Sequence, residues 1–428
     1  MRKLMAFFVI LGVMAFAATD GAAATFRVGV ARRNITPEAP IPMWGYGARH
    51  ALPGQATRDP LFAKALVIDV GESKAALVGL DLGRAPTFAM MELIEREVKE
   101  KAGVDYVLAV GSHTHHGPVI ELLDAPGMGK GVYDDAVAYA QQLPRTIIEA
   151  IVEAAENVVD ARMGIAIEET DFNRNRHAKR EPKPKDPRLS VVRFDSLDGK
   201  LISVMVNFGA HPTIESVFQF HWTSEWPGHM QMTVERELGG QCFFMQGAEG
   251  DTSANTGDGR RGIDGFGKAI GAKVIEMAKG IETKVPETPS LVGVTDTFVG
   301  KSRLDLSDRL IAGALKQAFF PEMLALTVDM PEGQVTVRMD TLIINNELAV
   351  VGGSGELFSE ISNRIKAQSP APHTLVFGCC NGHVMYVPTL EGVEQGGYGA
   401  DPLVAWAPAG TAEAMIEKAV ENISTLLR

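Results

Sequence analysis

The segment VDYVLAVGSHTHHGP, Val104 to Pro118, decides how the chain must fold. Its first half is a nearly unbroken apolar run of strand length. Such a run marks a strand covered on both faces, where every side chain must be apolar. Its second half places three of the chain's ten histidines within four positions, directly after that strand. Strand ends are where α/β proteins commonly hold their sites. In extended backbone, residues i and i+2 point the same way. His113 and His115 are therefore expected on one side, with Thr114 and His116 on the other. A His-x-His pair can offer two imidazoles to one metal ion or one substrate.

Outward from this segment the pattern alternates. KALVIDV and SKAALVGLDL read as strands joined at Gly71-Glu72-Ser73. Pro86 to Lys101 reads as a helix, with apolar Met90, Leu93, Ile94 and Val98 at helical spacing and Gly103 as its stop. PRTIIEAIVEAAENVV, from Pro144, reads as an amphipathic helix, LISVMVNFG as a strand, PGHMQMTVEREL as a helix and QCFFMQG as a strand. DTLIINNELAVVGG reads as paired strands turning at Asn345-Asn346. ELFSEISNRIKAQS reads as a helix that places Glu356 at its start, TLVFG as a strand, and Thr411 to Leu427 as a final helix. Strands alternating with helices predict an α/β fold, with helices covering a sheet. No break separates two units, so residues 25–428 are expected to form one domain.

Composition narrows the function. The 46% apolar and 22% charged content is that of a globular protein. The net charge of -12 argues against nucleic acid, whose phosphates need clustered Lys and Arg. Arg2 and Lys3, an apolar run to Ala18, and small residues near Ala24 form a signal peptide pattern over residues 1–24. The mature chain is then exported, to the periplasm or beyond. The three cysteines, Cys242, Cys379 and Cys380, lie in apolar strand-like runs and read as buried free thiols; a bridge from Cys242 to one of the pair is the alternative. NRHAKREPKPKDPR is basic, polar and Pro-containing, which predicts an exposed loop.

Other candidates sit at strand ends. NFGAHPT places His211 after a buried strand. GGSGELF places Glu356 after a Gly-rich turn. YVPTLEGVEQGGYG holds Tyr386 and Tyr398. QGAEGDTSANTGDG is rich in Gly and Asp, without the spacing of a calcium or phosphate loop. Ser253, in GDTSA, lacks the surroundings of a nucleophile elbow.

In this order, VGVARRNITP…GYGAR, LDLGR, SHTHHGP, NFGAHPT, SEWPG, QGAEGD, GELF and YVPT…GGYG resemble the neutral ceramidase family of zinc-dependent amidases. The resemblance spans Val28 to the C-terminal helix. It implies a large mixed sheet covered by helices. It implies a Zn2+ site of His113, His211, Glu356 and Tyr386, with His115 acting beside the metal and Tyr398 supporting Tyr386. It places an arginine of the Asn-Arg motif near the substrate, matched to Arg174 with Arg176 as the rival, and matches Ser253 to a family serine. The sequence departs from the family pattern at His116, GEL, GGYG and SEW. It stops at Arg428, where known ceramidases continue into a further domain, so ceramide is expected to be a poor substrate and a smaller acyl amide a better one.

The resemblance thus implies a zinc hydrolase cleaving an N-acyl amide, a ceramide-like lipid included. Its partner would be a small-molecule or lipid substrate, met in transient contact with a membrane surface. Two alternatives remain open: a related hydrolase of esters, lactones or sugar-linked amides, and an exported protein that holds a metal without catalysis.

Overall fold

The computed structural model describes residues 25–427, except 258, 306–307 and 319–332. The signal peptide pattern lies outside the described residues. Eight strands form a mixed sheet in the order Gln241–Gln246, Leu201–Phe208, Arg188–Ser196, Val159–Glu169, Arg27–Asn34, Phe62–Asp69, Lys74–Leu80 and Tyr106–Gly111. Its two outermost pairs are parallel and the pairs between them antiparallel. A second sheet runs Leu291–Lys301, Gln334–Ile344, Leu348–Gly353 and His373–Phe377, with only its last pair parallel.

The two sheets stack face to face. Leu66, Leu77, Leu108 and Met205 of the first pack against Leu342, Val350 and Leu375 of the second. The opposite face of the large sheet is covered by two helix pairs. Phe88–Ala102 and Asp134–Glu156 cover one half through Met91, Ile94, Ile147 and Ile151. Glu225–Leu238 and Gly262–Gly280 cover the other through Trp226, Val234 and Ile270. Helices Ser359–Gln368 and Thr411–Leu426 cover the small sheet. Strands such as Phe62–Asp69 and Lys74–Leu80 are therefore buried on both sides, whereas Leu291–Lys301 at the edge of the small sheet is largely exposed or half-buried. Along Phe62–Asp69, Ala63, Ala65 and Val67 face the helices while Leu66 and Ile68 face the second sheet. The apolar runs of the sequence follow directly from this four-layer arrangement. No helix among the described residues is long and apolar enough to cross a membrane.

Three local expectations are corrected. The helix expected from Pro144 begins at Asp134 and contains the proline. Its buried face, Val137, Ala140 and Leu143, packs whether or not Pro144 supplies an N–H. Glu356 does not start a helix; it lies in a two-residue strand, Glu356–Leu357, and the helix begins at Ser359. His113 is not in extended backbone, since its φ is +68°. The Asn345-Asn346 turn is present, with both residues in the left-handed region that suits asparagine.

Candidate metal centre

Three parallel strand pairs aim their C-terminal ends at one place. His113 follows Tyr106–Gly111, His211 follows Leu201–Phe208, and Glu356 follows Leu348–Gly353. Tyr386 reaches the same place by main-chain pairing: Glu356–Leu357 and Tyr386–Val387 form a short parallel ladder with Glu356 directly opposite Tyr386. His113 leaves its strand where Gly111 is packed so tightly that a Cβ would lie 2.4 Å from the Arg84 backbone. The left-handed residue His113, followed by a turn, brings His113 and His115 to the same side, a result that strand alternation alone would not give here.

The donor atoms converge. His113 Nε2 lies 3.0 Å from His211 Nε2 and 3.4 Å from Glu356 Oε2. His211 Nε2 lies 3.1 Å from Glu356 Oε2 and 3.4 Å from the Tyr386 hydroxyl. All four side chains are buried. Zinc bonds of about 2.0–2.2 Å place neighbouring tetrahedral donors roughly 3.3–3.6 Å apart. The tautomers also suit a cation. His113 Nδ1 sits 2.7 Å from the Gly83 carbonyl, and His211 Nδ1 2.9 Å from that of Glu249. Each Nδ1 therefore donates, and each Nε2 presents a lone pair toward the other and toward a carboxylate. Acceptors held this close need a proton or a metal ion between them.

The ionisation states agree with that need. Burial raises the Glu356 pKa, but His113 and His211 outweigh it and hold the group well below the usual carboxylate range. Burial also works against a charge on His113, yet Glu356 pulls its pKa up. Burial, Arg176 and His113 push His211 down to about 3. Burial, reinforced by His113 and His211, keeps His115 well below its ordinary value, so His115 is neutral.

His115 stands at the edge of the donor set, its Nε2 3.4 Å from His113 Nε2. The geometry groups it with His113 and His211 as readily as it groups the proposed quartet. Its ring packs edge-on to Trp44 and Tyr46, and its Nδ1 is buried without a hydrogen-bond partner. The buried guanidinium of Arg49 donates to the Trp44 and His115 carbonyls and so ties the histidine turn to that aromatic wall. His116 turns away, stacks on His221 and reaches the Ser216 carbonyl. Tyr398 is 66% exposed, and its ring packs edge-on to that of Tyr386 with centroids 5.6 Å apart.

The sequence matches Arg174 first, with Arg176 as the rival; the structure instead brings Arg176 to the histidines. Its Nη2 lies 2.7 Å from His211 Nε2 and 3.1 Å from the Tyr386 hydroxyl. Arg174 is exposed, pairs through its backbone with Ser253, and makes no side-chain hydrogen bond or ion pair among the described residues. Ser253 forms a backbone bridge to His211. Asp81 and Asp251, also at strand ends, bind structural partners: Asp81 accepts from Phe62 N, and Asp251 from Asn175 and Ser359.

Several residues at the site carried no usable sequence signal. Glu249 is fully buried, with its pKa raised to about 8 by burial; it accepts from the Cys379 thiol, and its other oxygen has no partner. Cys379, Cys380 and Cys242 are all free and buried. His383 is buried with neither ring nitrogen hydrogen-bonded, its Nε2 3.9 Å from Glu356 Oε1. Whether such a group faces a site or a core is decided by packing between distant segments. No pattern within its own segment reports it.

No family model and no curated protein sequence matches the chain. Solved structures do match. A structure described as ceramidase complexed with C2 superposes with a TM-score of 0.73 at 19% identity, covering 94% of this chain and 75% of that one. The neutral ceramidase from Pseudomonas aeruginosa matches with a TM-score of 0.70 at 20% identity, covering 94% and 74%. Across nearly its whole length, the chain has the fold of the neutral ceramidases.

Proposed function

We propose that the protein is a zinc-dependent hydrolase of N-acyl amides, with His113, His211, Glu356 and Tyr386 holding the metal. The observation that carries this reading is the convergence of two inward-facing imidazole nitrogens, a carboxylate and a phenol at 3.0–3.4 Å. The fold shared with ceramidase structures supports amide hydrolysis as the reaction class. Zinc bound in such a site acts as a Lewis acid, making hydroxide available near neutral pH and polarising a carbonyl.

The chain's own residues supply the rest. The Gly83 and Glu249 carbonyls fix the tautomers of His113 and His211. Neutral His115, pinned by Trp44, Tyr46 and Arg49, can carry its proton on Nε2 and donate it as a hydrogen bond to the carbonyl oxygen as charge develops. Tyr398 packs edge-on against Tyr386, and its hydroxyl is a second donor to the developing charge. The test is metal content together with turnover of a panel of N-acyl amides and esters, before and after chelation. One zinc per chain and chelator-sensitive amide cleavage are expected. Full activity in metal-free protein would refute the assignment, and cleavage of esters alone would replace the amide reading.

A further inference from the structure

His383 lies outside the proposed quartet. It is 4% exposed, and neither ring nitrogen has a hydrogen-bond partner among the described residues. A buried polar group left unpaired is costly, so a native fold that keeps one calls for a reason. Its Nε2 lies 3.9 Å from Glu356 Oε1, beyond hydrogen-bond range. Glu356 meets His113 and His211 through its other oxygen, Oε2, at 3.4 and 3.1 Å. The carboxylate thus has an inner oxygen at the metal centre and an outer oxygen beside His383. The chain holds His383 there. Asn381 exchanges hydrogen bonds with the main chain of Ala109 and donates to the Val107 carbonyl, which ties the loop to the strand that leads into His113. Gly382 gives the loop room, since a Cβ there would lie 2.3 Å from the Phe88 ring. Cys379, Asn381 and Met385 have φ of +46°, +50° and +64°. Backbone of this kind persists where its surroundings demand it, and it gathers at functional sites. Trp44 packs edge-on to the His383 ring, as it does to His113 and His115.

A carboxylate that holds a metal ion through one oxygen keeps the other as an acceptor, and ligating carboxylates are oriented by an outer hydrogen bond there. A carboxylate oxygen only accepts, so the nitrogen that meets it must carry a proton. We propose that His383 is the positioning residue for Glu356: in the metal-loaded protein its Nε2–H donates to Oε1 and keeps Oε2 turned toward His113 and His211. A movement of about 1 Å brings the pair into hydrogen-bond range. The metal-free protein carries His383 unpaired, and metal binding relieves that cost. This rests on the metal-site reading, in which Glu356 is a ligand, and adds a residue that acts through it.

The test sets zinc affinity against the stability of the metal-free protein, in the full chain. Competition with a chelating dye reads the first, and thermal unfolding reads the second. His383→Leu replaces an unpaired polar ring with an apolar side chain of similar volume. The metal-free melting temperature should stay the same or rise, while zinc affinity falls about 10–100-fold. A glutamine amide nitrogen reaches the place of Nε2, whereas that of asparagine reaches only the place of Nδ1. His383→Gln should therefore recover most of the affinity, and His383→Asn should not. Unchanged affinity in a folded His383→Leu protein overturns the proposal. So does weaker binding accompanied by a lowered metal-free melting temperature, the mark of a structural role. Complete loss of zinc from His383→Leu overturns it too, by making His383 a ligand. Equal affinities in His383→Gln and His383→Asn do the same, and that comparison decides the matter if the leucine variant does not fold. The two readings fail separately. Full zinc affinity in Glu356→Ala removes the proposed quartet and the role of His383 with it. Zinc loss in Glu356→Ala beside unchanged affinity in His383→Leu removes only the role of His383.

Discussion

Replacing Gly250 with alanine is expected to weaken metal binding although no proposed ligand is replaced. Gly250 packs against the main chain of Glu356: a Cβ there would lie 2.5 Å from the Glu356 carbonyl oxygen and 3.0 Å from its carbon. The φ of Gly250 is not in the left-handed region, so the penalty is steric. Restoring a tolerable contact of 3.0–3.4 Å moves one segment by roughly 0.5–0.9 Å, whereas metal sites hold their bond lengths to about 0.2 Å. Overpacking of this kind costs about 1–3 kcal/mol. If half or more of that strain falls on the Glu356 position, zinc affinity drops by ~0.5–3 kcal/mol, about 2- to 150-fold. Competition with a chelating dye reads the affinity, and thermal unfolding of the metal-free forms reads the strain that falls elsewhere. Gly257→Ala is the control, because a Cβ there meets only the Asn255 side chain, at 3.9 Å. Unchanged zinc affinity in a folded Gly250→Ala protein would refute the claim that this contact sets the position of Glu356.

The histidine segment should divide its labour. His113→Ala is expected to lose zinc and activity together, and His115→Ala to keep zinc while losing about 10²–10³ in turnover, roughly 3–4 kcal/mol; His116→Ser should retain most activity. Equal zinc loss in the first two variants would make His115 a ligand. Tyr398→Phe should keep its metal and lose about 0.5–1.5 kcal/mol of transition-state stabilisation, the net worth of one hydrogen bond; unaltered kcat would remove Tyr398 from the mechanism. His229 faces Asp59 and Asp264, with Arg58 nearby, and those carboxylates raise its pKa despite partial burial. A raised folded-state pKa gives stability that is complete below about 6.5, the unfolded value, and is lost as pH rises through the folded value. Denaturant titrations should therefore show a falling alkaline limb that His229→Gln flattens, and the same limb in both proteins would count against the linkage.

Much of this architecture could be read from the sequence because burial on both faces leaves a simple record. A strand between helices and a second sheet is apolar throughout, and its end is marked by the first polar cluster, as at Gly111-Ser112-His113. His211 was legible for the same reason. Pro144 misplaced a helix start because local propensity opposes a proline there, while the buried Val137, Ala140 and Leu143 face prevails. Glu356 was assigned to a helix because a strand of two residues has no period to read; its partner lies thirty residues away in the chain. Arg174 and Arg176 are two residues apart, so alternation assigns both to one side and cannot separate them. They are told apart only where the strand ends at Asn175 and the chain turns toward His211.

The pairing of Glu356 with Tyr386 separates frame from chemistry. Their spacing is set by main-chain hydrogen bonds, which do not depend on the side chain carried at either position. An exchange of Tyr386 for histidine or aspartate alters the hardness and charge of one donor while the scaffold that aims it stays put. With Tyr386 as the proposed fourth donor, position 386 would be a tuning point at which metal preference is rewritten without rebuilding the site.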